Sequence, residues 1–319
     1  MATRSVALTL SALIVVALAA CERRAAPPRS ETTRAVAPPV VTPPTARRAP
    51  STNGWDSTAG PLLFVRGDSL FEAAVVYPRV SDSTEPDRVH LDIGIARNAA
   101  LDLFQRGGAT SEARVTSVSS DATDDDRCTE WPIATLQPAP GTALPAAWTV
   151  GFLRGYVEPI RLDSIETLPR QDSARLAADI ARLASALPND TSRTFRAIPF
   201  AVEHAYRFPV APGIHAVFAD VVRKLNLEAN PLEQHTIIIA ERDSVGADSS
   251  YHVVYTERAV GSEETLETTD LLSAVSLGSP RHTALVLLRE GYESSAYALL
   301  ERALSGKWRI SWTSAHAGC

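Results

Sequence analysis

Beyond residue 60 the chain is patterned mainly with period two. Leu62 to Arg66, Leu70 to Tyr77, Arg88 to Ile95, Ala113 to Val118 and Trp148 to Arg154 are short alternating segments, separated by Gly67-Asp68, Ser81-Asp82-Ser83 and Gly107-Gly108. Alternation between turn formers predicts strands with one face on a core. Ala96 to Gln105 fits strand or helix, and residues 119–147, rich in Asp, Pro and Ala, read as a long irregular loop. One helical period interrupts this pattern: Leu176, Ile180, Leu183 and Leu187 fall at i, i+4, i+7 and i+11. With Asp172 or Ser173 as cap and Pro188-Asn189 as stop, the spacing predicts an amphipathic helix over about 172–187. Arg175 and Asp179 add an opposite-charge pair at i, i+4 on its wet side.

After the helix, Phe200, Val202, His204, Tyr206 and Phe208 alternate with Ala201, Glu203, Ala205 and Arg207, a half-buried strand. Ile214 to Leu225 and Thr236 to Arg242 form a hairpin across Asn226 to Gln234. A meander follows: Tyr251 to Arg258, Thr265 to Leu277, Thr283 to Arg289, Ser295 to Arg302 and Lys307 to Thr313. Three segments end in Glu-Arg ahead of a glycine, at Glu241-Arg242, Glu257-Arg258 and Glu301-Arg302, which reads as a strand leaving the core on a charged pair. Their unequal spacing excludes a solenoid or propeller period. The fold class expected is β-rich α+β: antiparallel sheets and hairpins with at least one amphipathic helix, in two packed halves dividing near residue 165.

Composition separates this body from what precedes it. Every aromatic residue lies at or beyond Trp55, while seven of the 22 prolines fall between residues 27 and 50. Seven Arg against two Glu give residues 1–50 a net charge of +5, so the overall −6 leaves −11 for residues 51–319. An acidic body lacks the clustered positive charge that nucleic-acid binding requires. Lys224 and Lys307 are the only lysines, so nearly all positive charge is Arg.

The first twenty residues carry one charge, Arg4, and an apolar run from Val6 to Ala20 that ends at Cys21-Glu22-Arg23-Arg24. That run is short for a bilayer span, which needs about 20 apolar residues, and has the build of a secretory signal peptide. At its end Leu18-Ala19-Ala20-Cys21 resembles the lipobox of bacterial lipoproteins. The resemblance covers residues 1–21 only; residues 55–319 resemble no characterised family. It implies cleavage before Cys21, acylation of Cys21 and a membrane anchor. Glu22 stands where an Asp would be the usual inner-membrane retention signal, which implies an outer-membrane address, facing the periplasm or the cell surface. The expected organisation is a signal peptide at 1–20, a lipidated Cys21 with a Pro/Arg-rich tether at 21–54, a β-rich part at 55–165 and a helix with antiparallel meander at 166–319.

With Cys21 lipidated, Cys128 and Cys319 remain, and two thiols exported to an oxidising compartment are usually paired; free thiols or an intermolecular bond are the alternatives. Asp121, Asp124, Asp125 and Asp126 offer the oxygens calcium wants, without the spacing of an EF-hand, against the plainer reading of a solvated acidic loop. The histidines form no metal-binding pair on one helical face. His204 falls on the apolar side of its strand, and His215 and His235 on opposite arms of a hairpin that allows them to approach. Trp308, Ile310 and Trp312 share one side of the last strand, with Tyr297 on a neighbour, a row suited to sugar stacking or to core packing. Nucleophile elbows, phosphate loops and dinucleotide fingerprints are missing from the sequence, and no cofactor is implied. The expectation is a membrane-anchored envelope lipoprotein with a non-enzymatic domain that binds an envelope protein or cell-wall polymer. The alternative is an envelope hydrolase using His204, His215 and the Asp121 to Asp126 loop.

Overall fold

The structure is a computed structural model, and it describes residues 61–77, 97–119, 131–188, 194–225, 231–243, 250–314 and 316–318. Cys21, the tether, Asp121, Asp124, Asp125, Asp126, Cys128, Cys319 and the strand expected at Arg88 to Ile95 lie outside the described residues. In chain order the first strands are β1 (Leu63–Arg66), β2 (Glu72–Val76), β3 (Ala100–Gln105), β4 (Thr110–Ser119), β5 (Ile133–Pro138) and β6 (Trp148–Leu153). Next come β7 (Glu158–Ile160), β8 (Asp163–Ser164), α1 (Arg170–Ser185), β9 (Ala201–Ala211), β10 (Ile214–Leu225), β11 (Leu232–Asp243) and β12 (His252–Gly261). The last are β13 (Thr268–Leu277), β14 (His282–Glu290), β15 (Ser294–Arg302), β16 (Trp308–Thr313) and β17 (Ala317–Gly318). The fold is β-rich α+β with antiparallel sheets and a long helix, as the patterning predicts.

The strands form three sheets. The first six close a barrel in the order β1-β2-β5-β4-β3-β6, where Leu63 opposite Phe152 and Val65 opposite Val150 join its ends. An inner sheet runs β16-β15-β14-β13-β7, with β17 also on β15, and an outer sheet runs β12-β11-β10-β9-β8. Three apolar clusters fix their stacking. Leu272, Val275, Val286, Leu299 and Trp312 of the inner sheet pack into the barrel's core with Phe64, Phe104 and Trp148. The opposite face of the inner sheet, through Leu271, Leu285, Leu287 and Leu300, packs on Phe208, Phe218, Ile237 and Ile239 of the outer sheet. The outer sheet's far face, with Val217, Ala219, Val221 and Ile238, receives Ile180 and Ala184 of α1. The layers therefore run barrel, inner sheet, outer sheet, helix. Fully burying each such Leu, Ile or Phe is worth about 1.5–3 kcal/mol, and two sheets covered on both faces explain the unbroken apolar runs Ile237 to Ala240 and Ala284 to Leu287.

Several expectations change in detail. Strand β5 lies inside the stretch read as a loop, where the burial of Ala134 and Leu136 between exposed Ile133 and Thr135 gives only a short alternation. The ambiguous segment before Gln105 is strand β3. Helix α1 starts at Arg170 and ends at Ser185, with Pro169 at its N-cap and no side-chain cap, so Asp172 serves inside the first turn, where a carboxylate favours the helix dipole. Strand β7, from the first half of the sequence, pairs with β13 and so joins the two halves near residue 165. Between β9 and β10 the chain turns on Pro212-Gly213, and Gly213 takes φ 76°, a conformation costly for side chains with a Cβ.

Two bulges redirect side chains that strict alternation would align. On β9, His204 pairs with Asp220 but Val202 pairs with Val221, leaving Glu203 as the extra residue. Val202 consequently packs on the helix side while Tyr206 and Phe208 enter the core between the sheets. On β16, Trp312 pairs with Leu299 but Ile310 with Leu300, so Ser311 is the extra residue and the tryptophan row is split between two cores.

Candidate functional site

The residues singled out by sequence do not assemble into one site. Trp308 and Trp312 are 7% and 8% exposed and face opposite sides of the inner sheet, which removes the sugar-stacking row and leaves core packing. Trp308 meets Phe208 edge-on at 6.3 Å and donates from Nε1 to Glu241 Oε1 at 2.6 Å. Tyr297 is buried on the barrel side, 6.2 Å from Trp131 between ring centroids. His204 is exposed although it keeps the face of Tyr206 and Phe208: it stands opposite Asp220, beyond the apolar cluster between the sheets, and the bulge at Glu203 turns Val202, not His204, to the other face. His215 is also exposed; it stands opposite Arg242, whereas His235 stands opposite Val222. Those positions are at opposite ends of the β10–β11 hairpin, seven register positions or roughly 24 Å apart at about 3.4 Å per residue, so the two histidines do not meet.

A cleft of about 410 Å³ lies instead where α1 crosses the outer sheet. From the helix side it is lined by Leu168, Asp172, Arg175, Leu176, Asp179, Arg182 and Leu183, and from the sheet side by Arg207, Arg242, Ser250 and Tyr251. The helix reaches it because Leu176, Ile180 and Leu183 press on the sheet, which turns the flanking stripe at 172, 175, 179 and 182 along the opening. The sheet reaches it through parity. Arg207 pairs with Val217, which faces α1, and Arg242 lies two residues beyond Ala240 on the same face. His215, directly opposite Arg242, shares that face but is not among the residues that line the cleft.

The charges in the cleft are unequal in their partners. Arg182 Nη2 holds Asp179 Oδ1 at 3.0 Å, replacing the Arg175–Asp179 pair expected from i, i+4 spacing. Among the described residues no carboxylate pairs with Arg175, Arg207 or Arg242. The guanidinium of Arg242 lies 4.8 Å from the centre of the Tyr251 ring, a cation–π contact that holds it in place. Nε of Arg207 is buried without a hydrogen-bond partner. Burial pushes the Tyr251 hydroxyl above its ordinary pKa while the nearby Arg242 and Arg207 pull it back, so the phenol and both cations feel one another. In a body of net charge −11, four arginines against two aspartates make this a locally positive surface.

Elsewhere on the outer sheet buried carboxylates stand in pairs with cations. Glu241 accepts from Arg302 Nε and Nη2, both at 2.8 Å, as well as from Trp308, which ties β11 to β15 and β16 across the core. Burial alone would raise the Glu241 pKa, but these hydrogen bonds outweigh it and hold the carboxyl below its ordinary value. The Glu-Arg strand ends are thus not exits from the core: Glu241 and Arg302 come from two of them, Glu257 binds Arg289 at 2.6 Å, and Glu301 binds His282 at 3.2 Å. At the other end of β11, His235 Nδ1 is 2.9 Å from Asp220 Oδ2 and Nε2 is 3.1 Å from Glu233 Oε2. Among the described residues there is no group of three or more His, Cys, Asp or Glu able to hold a metal, and no helix long and apolar enough to cross a membrane. Comparison of the chain with protein-family models, with curated proteins and with solved structures gives no match.

Proposed function

We propose that the protein is a lipid-anchored cell-envelope protein whose β-rich body binds a ligand or partner without transforming it, and that the cleft between α1 and the outer sheet is where it binds. The cleft carries the reading: its cations are arginines, which stay protonated and recognise oxyanions through fixed forks of N–H donors but do not shuttle protons. A hydrolase is the second reading, and His204 and His215, exposed and at different places on the sheet, lend it no support.

The address rests on Leu18-Ala19-Ala20-Cys21 at the end of an apolar run. Two or three acyl chains on Cys21, at about 0.8 kcal/mol per buried methylene, hold a protein on a membrane where one chain would not. The outer membrane is the proposed location, with the tether setting the body off from the surface. In fractionated cells the wild-type chain is expected with the membranes and the Cys21→Ser variant in the soluble fraction; a variant that stays with the membranes refutes the anchor. Cys128 and Cys319 are proposed to pair. Intact mass measured under denaturing conditions is expected to rise by two hydrogens on reduction, and an unchanged mass refutes the bond.

A further inference from the structure

We infer that the cleft between α1 and the outer sheet is a binding site for a small ligand bearing two oxyanion groups, phosphate or carboxylate, with Arg207 and Arg242 as its principal recognition residues. This rests on the binding reading above and names the ligand class. The first support is placement. Arg207 and Arg242 lie on alternate strands of one sheet face, two residues out of register, so their Cα atoms are roughly 12 Å apart given strand spacings of about 4.8 Å and rises of about 3.3 Å. Both side chains line the same cleft. Arg175 completes the arrangement from the helix side.

The second support is partner accounting. Buried guanidinium groups are normally matched, as Arg302 is by both oxygens of Glu241. Arg207 keeps a buried, unpartnered Nε, as Arg106 and Arg289 do, but those two also hold a carboxylate, whereas among the described residues neither Arg207 nor Arg242, which rests 4.8 Å from the Tyr251 ring centre, has one. Each guanidinium presents parallel N–H donors that fit a carboxylate or phosphate two-pronged. Two such forks, each with its own donors, offer a place for each of two oxyanion groups on one ligand. The volume of about 410 Å³ suits a small molecule, and Leu168, Leu176 and Leu183 supply an apolar wall for the segment between its charged ends. The Tyr251 hydroxyl and Ser250 are further polar groups for such a ligand. Asp172 opposes an anion at the helix end, so an uncharged or cationic group is expected there.

The full chain, purified in detergent, tests this with pyrophosphate and citrate as the two probes and glycerol as the neutral control, by calorimetric titration and by thermal unfolding. Saturable binding of at least one anion is expected, with an upward shift of Tm and no response to glycerol. Arg207→Gln with Arg242→Gln is expected to weaken binding at least tenfold, and so is Arg207→Lys with Arg242→Lys, which keeps the charge but loses the fork. Should the Gln pair not fold, the Lys pair decides. Arg309→Gln, at an exposed position on β16, is expected to bind as wild type. Wild-type affinity in the cleft variants, equal weakening by Arg309→Gln, or no anion binding at all overturns the proposal. Pyrophosphate without citrate assigns phosphate, and the converse carboxylate. Absence of anion binding alongside a retained protein partner would sink this inference while leaving the binding reading intact, whereas soluble Cys21→Ser protein that still binds separates the anchor from the site.

Discussion

Glu241 and Arg242 are neighbours on β11, yet the sheet sends them to opposite worlds. Glu241, 4% exposed, points into the core between the sheets and is fully engaged by Arg302 and Trp308. Arg242 points toward the helix, rests on Tyr251 and meets no carboxylate among the described residues. The difference follows from what each face must do. Ions removed from water between two packed sheets lose several kcal/mol of hydration, so that face holds charge in carboxylate–cation pairs such as Glu241 with Arg302. A charge at the wall of an open cleft keeps part of its hydration and is free for another use. Matched charge is therefore architecture here, and unmatched charge beside a cavity is the better guide to function.

Breaking the matched side should have the largest effect. Glu241→Ala leaves Arg302 as an uncompensated cation with a side chain only 13% exposed and deprives Trp308 Nε1 of its acceptor, an expected loss of about 3–5 kcal/mol in urea unfolding. Arg242→Ala, one residue along, removes a cation–π contact and is expected to cost below about 1 kcal/mol. The double variant Glu241→Ala with Arg302→Met should recover part of the loss, because the stranded charge is gone. Equal costs for Glu241→Ala and Arg242→Ala would erase the distinction between the two faces.

This contrast also marks how far the sequence could be read. The period-two segments and the leucine spacing of α1 were sufficient for the fold class, since one-sided burial leaves that imprint on a strand or helix. Double-sided burial does not: Ile237, Ile238 and Ile239 serve two cores in turn, so no alternation tells which face is which. The bulges at Glu203 and Ser311 are illegible because an extra residue is a property of pairing, and without them Val202 and the Trp308–Trp312 row take the wrong sides. The cleft was missed for a related reason. Arg175 and Arg182 recur along the helix, and Arg207 and Arg242 sit at polar places in their strands, but β10 lies between those strands and only the docking of α1 gathers all four. The Glu-Arg repeats are a visible signal, but their glutamates turn to cations on the facing sheet or the neighbouring strand where the pattern alone reads as an outward exit.

A smaller effect separates a third arrangement on the same strand. Glu233, His235, Ile237, Ile239 and Glu241 share one face of β11, apolar in the middle and charged at both ends. His235 is 8% exposed and Asp220 5%, with His204 opposite Asp220 on β9 and Lys224 3.3 Å from Glu233. Both ring nitrogens of His235 face carboxylate oxygens, and only the protonated ring donates to both. The hydrogen bond to Asp220 is the main reason its pKa is raised, with Glu233 adding to it against the opposing effect of burial. A raised folded pKa means the folded state binds the proton more tightly than the unfolded one. The resulting stabilisation is complete below the unfolded value of about 6.5 and disappears as pH rises through the higher folded value. Unfolding free energy is expected to decline from about pH 6.5 upward, below the range in which tyrosines titrate. In Asp220→Asn, which removes the charge and the strongest acceptor, that decline should flatten, while variants of Arg242 in the cleft should keep it. Parallel pH profiles for wild type and Asp220→Asn would mean that the ring is not held as a cation by its two carboxylates, and this end of β11 would then differ in kind from the Glu241 end.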